Sequence, residues 1–195
     1  LGKGAKTTLA NASSPSTGNV ALPTNVAGDF LVMVWWSEYA DSTLTGPSGW
    51  SGPVGIARTS QFQSDLSLYY KVSGGSEPST VSISNDGQAS TLNGGEAIIY
   101  NFGPCTFEAS GTWDGTSAST TISLASLTSG GTSRLRVDCY ANQGGSPLAG
   151  PFTHTAGSAE REDDKWGLSD IAITAAGADS GRTATATTGT AWLQS

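Results

Sequence analysis

Charge is scarce in this sequence, and positive charge is scarcer still. Charged residues are 13% of the 195, and 16 acidic against 9 basic side chains leave a net charge of −7. Binding a phosphate backbone needs a basic stripe that displaces counterions, so nucleic acid is excluded as a partner class. Histidine is nearly absent: His154 is the sole imidazole. That rules out a histidine-rich zinc site, and any Ser-His-Asp arrangement would have to be built on this one side chain. No Gly-x-Ser-x-Gly elbow, phosphate loop, dinucleotide fingerprint or EF-hand loop is present. The longest apolar run, Phe30 to Trp36, is far short of the ~20 residues that a membrane helix needs. No segment reads as a signal peptide, and the start at Leu1 rather than Met is expected to reflect processing or a further upstream start. No cofactor and no membrane partner is expected.

Cysteine is limited to Cys105 and Cys139. They allow one disulfide, and a single bridge would not be the framework of a chain this long. Cys139 alternates with Leu135 and Val137, which favours a small core residue over a bridge. Paired carboxylates at a glycosidase spacing are missing too. Glu38, Asp41, Glu77, Glu96, Glu108 and Asp114 do not fall in a recognisable pair on one strand. Helical patterning is equally absent. The best stretch, Ser158 to Lys165, has no apolar stripe and reads as a solvated charged loop.

What is present is β-structure. Hydrophobic residues are 36%, with 26 glycines and abundant Ser and Thr, a balance typical of β-rich extracellular or virion proteins. Residues 1–18 read as an N-terminal arm or edge strand, with a short strand at Lys6 to Leu9, and residues 19–195 as one β-sandwich domain. Asn11-Ala12-Ser13 forms a glycosylation sequon, of consequence only in a eukaryotic host. Phe30 to Trp36 is the opening strand, and a Gly/Pro loop is expected from Glu38 to Gln63. Leu66, Leu68, Tyr70 and Val72 alternate with polar neighbours as a half-buried strand, and Val81/Ile83 follow the Gly74-Gly75 turn. Ala97 to Phe102 is apolar on both sides and should be covered on both.

The second half repeats this plan. Leu135 lies 104 residues after Leu31, Pro151 104 after Pro47, Ile171 103 after Leu68, and Ala184 103 after Val81. The order of strand, Pro loop, strand, Gly turn and strand recurs, which predicts an internal duplication over about 19–103 and 119–195. On that scheme Ala191 to Ser195 is a closing strand. The fold class expected is all-β: a two-sheet jelly-roll-like or Greek-key sandwich built from two related halves.

Superposing the halves aligns Leu31, Met33 and Trp35 with Leu135, Val137 and Cys139 as core-facing positions. The opposite face reads Phe30, Val32, Val34 and Trp36 in one copy and Arg134, Arg136, Asp138 and Tyr140 in the other. Alternation assigns that face to the outside of the sheet. The apolar version is expected to be covered either by the same chain, through loop 38–63, or by a docking interface. Trp50 and Trp113 sit in Gly-rich turns, where a flat ring stacks on a sugar or plugs the end of a sandwich. His154, matching Trp50, reads as a loop-packing residue.

Three segments carry a resemblance: Ala27-Gly28-Asp29-Phe30-Leu31-Val32, Pro47-Ser48-Gly49-Trp50, and Leu68-Tyr69-Tyr70-Lys71-Val72. Together they resemble a β-sandwich module of tailed-bacteriophage structural proteins. Gly181-Arg182-Thr183-Ala184-Thr185-Ala186 and Trp192 are similar to its closing part, so the likeness spans most of 19–195. It implies a non-enzymatic virion protein: a capsid decoration, a head fibre or a tail component. Its partners would be other virion proteins and further copies of itself. The matched positions are turn glycines, prolines and strand apolars, so no catalytic residue carries over. The alternative is a carbohydrate-binding adhesin recognising host-surface glycans through Trp50 or Trp113.

Overall fold

The computed structural model describes residues 2–8, 17–37, 44–58, 65–85, 95–108, 121–123, 126–131, 134–142, 152–154, 159–163, 166–179, 182–186 and 191–193. Every regular element among them is a β-strand, and the strand pairs are antiparallel. The chain forms two compact units. The first comprises Leu1–Ile56 with Asp65–Phe107, and the second Ala57–Ser64 with Glu108–Ser195.

The first unit carries β1 (Gly2–Lys3), β2 (Thr7–Thr8), β3 (Thr17–Ala21), β4 (Asp29–Ser37), β5 (Leu44–Thr45), β6 (Ser51–Arg58, all but its last two residues), β7 (Asp65–Val72), β8 (Thr80–Asn85) and β9 (Glu96–Pro104). A six-stranded sheet runs β1-β9-β4-β7-β6, with β2 also on β9, and a three-stranded sheet runs β3-β8-β5. Strand β4 lies inside the larger sheet, so its apolar run fits a strand buried on both faces. One face supplies the core: Leu31, Met33 and Trp35 of β4 cluster with Tyr69, Ala97 and Ile99 of the same sheet. Val20, Val81 and Ile83 of the smaller sheet complete that cluster, and Leu22 and Trp50 pack against it. Each large apolar side chain buried in this way contributes about 1.5–3 kcal/mol. Strand β9 meets the expectation for Ala97 to Phe102 over its first half, since Ala97, Ile98, Ile99 and Tyr100 are all fully buried.

The expected loop 38–63 is not all loop, because it contains β5 and β6. Pro53 is tolerated in β6 because that strand is the sheet's edge, paired with β7 on one side only. The arm expectation has a concrete form: β1 and β2 both add to β9, and β2 falls within the strand expected at Lys6 to Leu9, where Leu9 lies outside the described residues.

The second unit carries β10 (Thr121–Ser123), β11 (Leu127–Ser129), β12 (Arg134–Asn142), β13 (Phe152–His154), β14 (Ala159–Asp163), β15 (Trp166–Ile173), β16 (Gly177–Asp179), β17 (Thr183–Ala186) and β18 (Ala191–Leu193). Its sheets run β14-β15-β12-β18, β10-β17-β13 and β11-β16. The first two reproduce orders of the first unit: β6-β7-β4-β9 becomes β14-β15-β12-β18, and β3-β8-β5 becomes β10-β17-β13. The equivalent strands also follow one another in the same chain order.

Three expectations are corrected here. Glu160 to Asp163 is strand rather than solvated loop: β14 pairs with β15, with a bulge between Glu160 and Glu162. Acidic residues suit it because it is an edge strand, where charge discourages further pairing. Ile171 is not the equivalent of Leu68. Leu68 pairs with Val34 and Ser169 with Asp138, so Ile171, opposite Arg136, matches Tyr70, opposite Val32. The error is an even step, so faces are preserved while positions shift. Lastly, the charged face of β12 reaches solvent at Arg134 but not at Arg136 and Asp138. Arg136 and Asp138 are 4% and 1% exposed, whereas Leu135, assigned to the core, is 44% exposed.

Candidate functional site

The face of β4 proposed for docking is Phe30, Val32, Val34 and Trp36. All four are buried within the chain, Val34 and Trp36 almost completely. Register explains part of this. Val32 lies between Tyr70 and Tyr100, Val34 between Leu68 and Ile98, and Trp36 between Leu66 and Glu96. Phe30 packs on Tyr70 with ring centroids 5.6 Å apart, and Tyr70 stacks on Phe107 at 4.7 Å and 15°. What reaches solvent beside this ladder is its rim: Val72 is half exposed and Phe107 is 40% exposed.

Where β4 begins, polar groups converge. Gly28 adopts φ 90°, a left-handed conformation that suits glycine, and so delivers Asp29 into the sheet. The buried Asp29 carboxylate accepts bonds from the Val26 N–H at 2.9 Å and from Asn101 Nδ2 at 2.7 Å. Asn101 Nδ2 also donates to the Thr24 carbonyl, and its Oδ1 accepts from the Gly103 N–H. Ser73 Oγ donates to Asn25 Oδ1 and accepts from the Gly75 N–H, while Ser73 N–H donates to the Asp29 carbonyl. Such a network satisfies groups that would cost about 1–3 kcal/mol each if buried without partners. It ties the turn before β4 to the ends of β7 and β9. Sequence reasoning singled out Ala27-Gly28-Asp29 but missed Asn25, Ser73 and Asn101. Their only signal was polarity at strand ends, which many exposed residues share.

Four other carboxylates have close partners. Glu77 accepts from Lys71 Nζ at 2.8 Å and from the Gly74 N–H at 2.9 Å, closing the Gly74-Gly75 turn. The Lys71 bond and then the Gly74 bond hold its carboxyl below the ordinary value. Glu108 accepts from the Gly130 N–H and from Arg134 Nε, each at 2.6 Å. Those two bonds, the backbone one first, lower its pKa likewise. Glu96 Oε2 stands 3.3 Å from Lys6 Nζ. In the second unit, Arg136 Nε donates to Asp138 Oδ1 at 2.6 Å, and both side chains are nearly inaccessible. Two residues apart on one strand, they share a face, and that spacing lets the pair form locally.

The stacking candidates separate. Trp50 is partly buried against the first unit's core cluster, and its N–H closes a turn on the Pro47 carbonyl at 3.2 Å. Trp113, Glu38, Asp41 and Asp114 lie outside the described residues. His154 ends β13, where its backbone pairs with Ala184. Cys105 is exposed, Cys139 is buried, and both are free thiols. Burial pushes the Cys139 thiol far above its ordinary range, with the Asp138 charge adding to the effect. Burial and then the Asp29 charge raise Cys105 as well. No group of three or more His, Cys, Asp or Glu side chains suited to a metal ion occurs among the described residues. No helix among them is long and apolar enough to cross a membrane. No family model, curated protein or solved structure matches the chain.

Proposed function

We propose that this chain is a non-enzymatic structural protein of a bacteriophage particle, a capsid decoration, head fibre or tail component, acting by docking and self-association. In this reading it is a two-sheet, jelly-roll-like or Greek-key sandwich assembled from two internally related halves. The matched strand orders of the two units support the duplication. The observation that carries the functional reading is the use made of converging polar groups. Asp29, Asn101, Ser73, Glu77 and Glu108 all bond turn backbone. Their hydrogen-bonding capacity goes into fixing loop geometry, which serves a protein whose work is to hold a shape. Trp50 packs its ring on the core, which favours docking over glycan stacking.

The test is location. Imaging of intact particles, with the chain found by mass spectrometry in the same preparation, should place density for both units on the head or the tail. Purified particles that lack the chain would overturn the proposal. A glycan array separates the adhesin alternative: saturable binding lost in Trp50→Ala, with the fold retained, would favour that reading.

A further inference from the structure

The geometry points to an exchangeable arm: residues Gly2–Thr8 form a donor strand for the outer edge of β9, able to fill the same slot on a second copy of this chain. The edge is specific. Gly2 and Lys3 pair with Asn101 and Tyr100, and Thr7 and Thr8 pair with Ala97 and Glu96. Between these pairs the Gly4 N–H donates to the Ile99 carbonyl at 2.8 Å. A Cβ on Gly4 would collide with the Ala21 carbonyl oxygen at the end of β3 and crowd the Ile99 carbonyl, so only glycine fits this narrow groove between two strands. Lys6 meets Glu96 at 3.3 Å, and Thr7 Oγ1 donates to the Asn19 carbonyl at 2.9 Å. These contacts fix the arm's register.

The same contacts make the arm easy to release. None of residues 2–8 is buried, and Lys3, Ala5, Lys6 and Thr8 are exposed, so the arm adds no side chain to the core. What it gives up on leaving includes a short ladder, the Thr7–Asn19 bond and one partly exposed ion pair, each interaction of modest net strength. What it leaves behind is an open edge on β9, a strand whose first half is fully buried on both faces. Open edges of that kind recruit other strands. A second copy's arm restores every contact identically, which is why strand exchange is a low-cost route to dimers.

The Lys6–Glu96 pair supplies the test with the full chain. Light and isotopically heavy copies are mixed, equilibrated at several concentrations, and coupled with a zero-length carbodiimide, which joins an amine only to a carboxylate it touches. The expected product is a Lys6–Glu96 cross-linked peptide containing one light and one heavy half. Its share should rise about tenfold for a tenfold rise in concentration while that stays below the millimolar range of tethered self-docking. Lys6→Arg, which keeps the positive charge but cannot couple, should abolish it. Same-isotope Lys6–Glu96 product alone, at every concentration, would overturn the proposal. So would mixed-isotope products that join other residues but never Lys6 to Glu96.

Discussion

Strands β4 and β12 occupy the same place in two units of matching strand order, and they fill the same face differently. In β4 that face holds Val32 and Val34; in β12 the positions 104 residues later hold Arg136 and Asp138. All four are at most 8% exposed. A hydrophobic pair and a hydrogen-bonded ion pair thus occupy equivalent buried positions. The opposite face differs in the other direction: Leu31 is fully buried and Leu135 is 44% exposed. Equivalence of backbone position therefore does not carry equivalence of environment. The chemistry of a side chain did not reveal which face was covered either.

The largest expected break comes from putting one side of this comparison into the other without its partner. Val34→Asp places a lone carboxylate at a fully buried position and should destabilise the chain by more than about 4 kcal/mol. Urea unfolding monitored by circular dichroism should show it, and a cost under about 1 kcal/mol would mean that this face opens to water.

Asp138→Ala leaves the Arg136 guanidinium buried without its carboxylate and should cost about 3–5 kcal/mol. The double change Arg136→Val with Asp138→Val copies the β4 solution into β12. It should be neutral or stabilising by about 1–4 kcal/mol. A double variant as damaged as the single one would mean that the surroundings of the ion pair are themselves polar. Ser169, which pairs with Asp138 and is also buried, would then be the first residue to examine.

Leu31→Ala and Leu135→Ala test the opposite face with one chemical change at matched positions. The first should cost about 2–5 kcal/mol through transfer and cavity effects. The second should stay within about 0.5 kcal/mol, as exposed substitutions do. Equal costs in chemical denaturation would remove the asymmetry between the units.

The smallest effect is electrostatic and belongs to the first unit. Lys71 and the Gly74 N–H hold Glu77 below the ordinary carboxyl value of 4.5. Its contribution is therefore complete above pH 4.5 and is lost as pH falls through the lower folded value. Glu77→Gln should cost no more than about 1 kcal/mol at neutral pH. It should also flatten the stability–pH curve below pH 4.5. An unchanged curve would mean that Glu77 gains no more from folding in its charged form than in its neutral one.

Much of the architecture was legible in the residues. Two-residue periodicity located β7, β8 and β15, and the unbroken apolar runs marked β4 as a strand and β9 as a strand covered on both sides. The recurrence of strand, Pro loop, strand and turn suggested a repeat, and the two units share strand orders in two of their sheets. The candidate site was less legible. Phe30 to Trp36 was recognised as unusual, but whether a face of it would dock or be buried depended on long-range packing. The turn network around Asp29 was visible only at its first residue. Asn101 lies 72 positions away and becomes a partner only when β9 pairs with β4. Strand β14 was misread because charge at an edge strand looks, in sequence, like charge in a loop.

By itself, then, the sequence determined which segments extend and which face alternates with which. These follow from the local geometry of the strand, where the side-chain period is fixed and turns require particular residues. Tertiary structure alone decided that Arg136 and Asp138 sit inside while Leu135 reaches solvent. It also decided that the outer-looking face of β4 is buried and that the arm closes the edge of β9. Burial depends on what packs across a face from distant parts of the chain, and a strand's own pattern records only that its two faces differ.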